Sequence, residues 1–134
     1  MSEEVKPKRT MEIDLEVSQE SIDQIIESAG YGIGYWASAA VVDEHARTYT
    51  ITESEEGDYD KHVVTYDQLV EAFWKIANPG RSIKGLGKMT RGYALDAVMD
   101  GIQNGKGDID AGHVDSDLAD HIVQVAIFDE VIYG

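Results

Sequence analysis

Cysteine is absent from this chain of 134 residues, and proline occurs only twice. Without a thiol there can be no structural disulfide, no cysteine nucleophile and no thiolate metal site. No apolar run approaches the roughly 20 residues that cross a bilayer as a helix. The first ten residues, MSEEVKPKRT, are polar and lack the apolar core of a signal peptide. These absences point to a cytoplasmic protein without membrane contact, and to a disordered tail over residues 1–10. Bases are also scarce. Eleven Lys and Arg face 26 Asp and Glu, for a net charge of −15. Most of such a surface repels a phosphate backbone, which argues against direct nucleic-acid binding.

The few bases are not spread evenly. The window from Ala72 to Leu95 holds Lys75, Arg81, Lys84, Lys88 and Arg91, and no acid at all. Charge of one sign focuses a local potential and marks a place for an anionic partner. The glycine-rich part reads Gly80-Arg-Ser-Ile-Lys-Gly-Leu-Gly-Lys-Met-Thr-Arg-Gly92. A phosphate-binding P-loop needs a lysine directly after its second glycine. Here Gly80 and Gly85 have that spacing, but Leu86 follows, so the motif fails. The looser chemistry survives. Glycines let backbone amides approach an anion, and a helix starting near Met89 adds a favourable dipole. Arg81, Lys84, Lys88 and Arg91 are the expected phosphate ligands, with Ser82 and Thr90 as hydroxyl donors. The competing use of the same window is pairing with an acidic face of a second copy, which makes the chain a homo-oligomer.

Hydrophobic periodicity predicts a single α+β domain over residues 11–134. Met11, Ile13, Leu15 and Val17 alternate with acids, which predicts a strand. Ser18 then offers an N-cap, and Ile22, Ile25, Ile26 and Ala29 follow at helical spacing. Gly34–Val42 and Arg47–Glu53 read as an antiparallel hairpin, the second strand turning Tyr49 and Ile51 to one side. Glu53–Asp60 is expected as an acidic loop. Thr65 and Gln68 fit a capping box ahead of a helix buried through Leu69, Phe73, Ile76 and Ala77. A third helix is expected over Met89–Gln103, buried through Leu95, Val98 and Ile102. A fourth is capped by Asp115 or Ser116 and buried through Leu118, Ile122 and Val125. Val131–Tyr133 is expected as a final edge strand. The expected architecture is a small antiparallel sheet in the order β-α-β-β, covered by three further helices.

Two stretches carry a resemblance. One is Gly-Tyr-Trp-Ala at 34–37, after a short helix. The other is ADHIVQVAIFDEVIYG at 119–134. Both resemble small acidic accessory proteins common in tailed bacteriophages, in which a YWA strand comes early and a last helix runs into FGE-V-YG. Asp129 stands where that pattern has glycine. The resemblance covers about a quarter of the chain and excludes the basic window. It implies a non-virion accessory role and supplies no catalytic residue.

Catalytic motifs are missing. No G-x-S-x-G elbow is present, and close carboxylate pairs are unremarkable among so many acids. His113, Asp117 and His121 have i, i+4, i+8 spacing, but the Asp115 cap leaves His113 ahead of the helix, so they read as solvated polar residues and not as a metal site. Asp108-Ile-Asp110-Ala-Gly112 lacks the remaining ligands of a calcium loop. The function expected is therefore non-enzymatic and cofactor-free. It is sequestration of a nucleotide-like anion or a host protein, with interference in a host process such as counter-defence. Two other readings are a DNA-mimic inhibitor, carried by the acidic surface, and a small enzyme acting on a phosphorylated substrate.

Overall fold

The computed structural model describes residues 14–54 and 58–134. Its elements are α1 (Gln19–Gly32), β1 (Ala37–Asp43), β2 (Thr48–Glu53), β3 (Lys61–Thr65), α2 (Tyr66–Ala77), α3 (Lys88–Asn104) and α4 (Ser116–Phe128), with a 3₁₀ turn at Ala111–His113. The strands form one antiparallel sheet in the order β1-β2-β3. The class is α+β, as the periodicity predicts. No helix among the described residues is long and apolar enough to cross a membrane.

β2 is the centre of the sheet. Tyr49, Ile51 and Glu53 face the core while the threonines between them face out. Val42 and Val64 flank Tyr49, and Ala40 and His62 flank Ile51. β3 is absent from the sequence expectation. Its five residues, KHVVT, are too few to show alternation.

The expected first strand is not part of this sheet. Met11–Ile13 lie outside the described residues. Asp14–Val17 runs beside the loop after α3, with one parallel bridge between Glu16 and Asp108. Glu16 donates its N–H to Gly107 at 2.9 Å and accepts from Ile109 at 3.0 Å. Asp108 explains the docking. Its carboxylate accepts from the Ser18 N–H (3.0 Å), the Ser18 hydroxyl (2.5 Å) and the Ser21 hydroxyl (2.8 Å). Burial raises the Asp108 pKa, but these bonds outweigh it and hold the carboxyl below its ordinary value. Ser18 also caps α1 by accepting from the Ser21 N–H.

The capping box of α2 is present. Gln68 donates its N–H to the Thr65 hydroxyl at 3.1 Å, and Thr65 donates its own to the Gln68 amide oxygen at 2.9 Å. Leu69, Phe73 and Ile76 are fully buried. Asp115 caps α4 through the Leu118 N–H at 2.8 Å, and Leu118, Ile122 and Val125 face the core.

α3 buries a different face from the one expected. Ala94, Ala97 and Gly101 are buried, Leu95 and Val98 are half-buried, and Ile102 is exposed. Small residues win because the 107–110 loop lies directly on the helix. Asp110 donates its N–H to the Ala97 carbonyl at 2.9 Å. A Cβ at Gly101 would sit 2.5 Å from the Asp108 oxygen and 2.8 Å from the Ile109 Cα. The predicted edge strand at Val131–Tyr133 is also replaced, by a non-strand tail held by side chains of α4.

The contact at Gly101 gives a paired test on one helix. Gly101→Ala forces backbone against backbone and is expected to destabilise by about 1–3 kcal/mol. Gly92→Ala meets no atom within 4 Å and is expected to stabilise by about 0.5–1 kcal/mol through helix propensity. Urea denaturation of the two variants checks this. Equal effects would remove the close approach of loop and helix.

Candidate functional site

The basic window spans the end of α2, the connecting loop and the start of α3. The loop is tied down at several points. Asn78 accepts the Gly80 N–H on its side chain at 2.9 Å, and its carbonyl accepts from Arg81 at 3.1 Å. Val131 of the tail donates its N–H to the Lys84 carbonyl at 2.9 Å. Gly85 has a φ of +84°, and a Cβ there would lie 2.1 Å from the Val131 oxygen, so only glycine fits.

Arg91 is an internal latch. Its Nε donates to the Ile76 carbonyl at 2.9 Å, and a terminal nitrogen donates to the Arg81 carbonyl at 2.5 Å. It thereby serves an orphan carbonyl at the C-terminal end of α2 and holds the loop against the start of α3. The other candidates are distributed along the surface. Arg81, Ser82, Lys84 and Lys88 are exposed, and Thr90 is half-buried. Asp129 approaches the window, 3.4 Å from Lys75 and 4.0 Å from Arg81. Among the described residues no acid lies within ion-pair distance of Lys84 or Lys88.

The start of α3 is electrostatically unusual. Its N-cap is Gly87, with no side-chain hydrogen bond, and its first turn contains no acid. Lys88 and Arg91 instead bring cations to the positive end of the helix dipole. Each such placement is unfavourable by about 0.3–1 kcal/mol. An anion at this end would satisfy the free N–H groups and offset the charge of Lys88 at once.

A second constellation is absent from the sequence expectation. Asp120 and Gln124, four apart on α4, are buried. Asp120 accepts hydrogen bonds from the Tyr35 hydroxyl (2.6 Å), the Trp36 indole (2.8 Å) and the Gln124 amide (2.9 Å). Gln124 in turn accepts the N–H groups of Ile132 and Tyr133, each at 2.9 Å. The Tyr133 ring stacks on Trp36 with centroids 5.1 Å apart and planes 4° off parallel. Its hydroxyl bonds to Glu53, whose other oxygen lies 2.5 Å from His62 Nε2. Desolvation of its hydroxyl, and then the bond to Asp120, push the Tyr35 phenol far above its ordinary value. Every carboxylate in this group is spoken for, so the group locks the fold. The one early signal was a polar i, i+4 pair inside the apolar run of α4.

The spacing-based set His113, Asp117 and His121 is not assembled. Asp117 and His121 lie on α4, and His121 Nδ1 is buried with no hydrogen-bond partner. His113 lies in the 3₁₀ turn and faces Asp100 and Asp110, the three offering ligand atoms within 4.8 Å of one another. Comparisons with protein-family models, with curated proteins and with solved structures found no match.

Glu53 supplies a pH test. Burial raises its pKa, but the bonds from Tyr133 and His62 prevail and leave it below 4.5. Its contribution to stability is therefore complete above the unfolded-state value. It is lost as pH falls through the lower folded value. Glu53→Gln should cost stability at neutral pH, and that deficit should shrink in acid. Urea midpoints between about pH 7 and pH 3 measure it. A deficit independent of pH would mean that Glu53 does not titrate as described.

Proposed function

We propose that this chain is a non-catalytic binding protein whose ligand is a phosphate-bearing, nucleotide-like anion. The ligand is taken up on the Gly80–Gly87 loop and the first turn of α3, by Arg81, Ser82, Lys84, Lys88 and Thr90. Arg91 supports them from behind through the Ile76 and Arg81 carbonyls. One observation carries the reading. In a chain of net charge −15, an uncapped helix start gathers cations and no acid. Among the described residues, no acid lies within ion-pair distance of Lys84 or Lys88, which leaves both ammonium groups available to an anion.

The biological setting is a cytoplasmic accessory protein of a tailed bacteriophage, which withholds the ligand from a host process or blocks a host protein. This setting rests on the resemblance of the Gly34–Ala37 and Ala119–Gly134 stretches to such proteins. Homo-oligomerisation belongs to the same reading, with the basic window as the place where an acidic face of a second copy is drawn in.

Calorimetry with a panel of mono-, di- and cyclic nucleotides tests the proposal. A charge-assisted hydrogen bond contributes roughly 1.5–3 kcal/mol, so losing two weakens binding by about a hundredfold or more. The double variant Lys84→Ala, Lys88→Ala is expected to abolish binding at accessible concentrations and to keep the fold, because exposed lysines add little stability. Binding should also weaken steeply with salt. No heat from any nucleotide, or equal heat with the double variant, would reduce the loop to a connector. A mass that falls from dimer to monomer as salt rises would then assign the window to subunit pairing.

A further inference from the structure

The far end of α3 carries a second, unrelated cluster. Asp100 comes from the last turns of the helix, Asp110 from the loop that follows, and His113 from the 3₁₀ turn. His113 Nε2 bonds to Asp100 Oδ2 and lies 3.9 Å from Asp110 Oδ2. All three ligand atoms fall within 4.8 Å of one another. We propose that Asp100, Asp110 and His113 bind a divalent transition cation of the zinc type, with three protein ligands and at least one position open to solvent.

The donor set favours this chemistry. One imidazole nitrogen and two carboxylate oxygens suit a borderline cation, and with no cysteine in the chain a thiolate site cannot compete. Three protein ligands plus an open position is the pattern of zinc sites that handle water or a substrate. Metal–ligand bonds of about 2.0–2.2 Å place neighbouring ligand atoms roughly 3.4 Å apart. The observed spacing needs only small side-chain rotations, which partly exposed groups can make. The imidazole is what separates this set from the many acidic patches of the chain.

The backbone holds Asp110 in place before any cation arrives. Asp110 directs its other oxygen to the Gly112 N–H at 3.1 Å, and its own N–H is fixed on the Ala97 carbonyl at 2.9 Å. A ligand so oriented needs little reordering to bind. Asp96 brings a third acidic side chain to the neighbourhood of His113, and a divalent cation suits such clustered acidic donors. Beside the cluster lies an open cleft of about 330 Å³. Asp110, Ala111 and Gly112 form one wall of it, and Glu20, Gln24 and Lys106 are among its other lining residues. A ligand on the cation would have room there.

The test uses the full chain, stripped with chelator and titrated with zinc chloride by calorimetry in moderate salt. Cobalt(II) absorption serves as an independent readout of coordination. One cation per chain is expected, with a cobalt d–d spectrum that requires His113. Loss of an outer-shell partner alone weakens metal sites by about 10–100-fold. His113→Ala and Asp100→Asn should therefore each weaken binding by at least about a hundredfold. Asp117→Asn, an exposed acid on α4, should leave it unchanged. Should His113→Ala fail to fold by circular dichroism, Asp100→Asn decides the matter, since that side chain is on the surface. Absence of a one-to-one event overturns the site. So does binding that survives Asp100→Asn, which would assign the cation to diffuse acidic surface or to another histidine. In either case the cluster is an ion pair only.

Discussion

The Asp120 carboxylate lies in the core, 4% exposed, and the fold closes around it. An isolated buried carboxylate is costly by several kcal/mol. This one is tolerated because three donors converge on it from two separate segments. Tyr35 and Trp36 come from the turn before β1, and Gln124 from the next turn of α4. Gln124 extends the network by accepting two backbone N–H groups of the tail. Helix, sheet entry and C-terminal segment are thus joined by polar bonds that satisfy the buried groups of Asp120, Gln124 and Trp36. Trp36 and Tyr133 seal the network with a stacked pair, and Phe128 packs against both.

From this hub a line of contacts leads to the basic surface. The tail that Gln124 holds donates through Val131 to Lys84, and it approaches so closely that position 85 must be glycine. Asp129, at the end of α4, adopts a left-handed conformation with φ 59° and turns its carboxylate toward Lys75 and Arg81. Glycine would occupy that conformation without strain. Aspartate tolerates it and adds a charge that partly balances the window. The loop is therefore positioned by the buried network on one side and by Arg91 on the other. Its cations are presented by a fixed backbone.

What the sequence made legible depended on how local the cause was. The capping box of α2, the alternation of β2 and the stripe of α4 are set by neighbours within four residues, and all three stand as read. β3 is too short to show a period and is recruited by β2. Met11–Val17 has a clear strand pattern, yet its described end is claimed by Asp108, some ninety residues away. The α3 stripe misled because Ala and Gly do not look like a buried face until a loop presses on them. The basic window was visible as composition, but nothing in the sequence marks Arg91 as bonded to carbonyls ten and fifteen residues earlier. Asp110 and His113 are three apart, but Asp100 lies ten residues before Asp110, and only the docking of the loop on α3 brings it to them. The two stretches that resemble phage accessory proteins contain Tyr35, Trp36, Asp120, Gln124 and Tyr133. Their residue types are accounted for by the hub itself.

The central claim is that buried side chains of α4 fix the tail, and that the tail fixes the basic loop. Native-state hydrogen exchange tests it directly. The Ile132 and Tyr133 amides, although close to the end of the chain, should exchange only with global unfolding. In Gln124→Ala these amides and the Val131 amide should lose protection together, while the amides of α2 keep theirs. Tail amides that exchange at the rate of a frayed terminus in the unaltered protein would contradict the account, because the loop would then have no fixed partner.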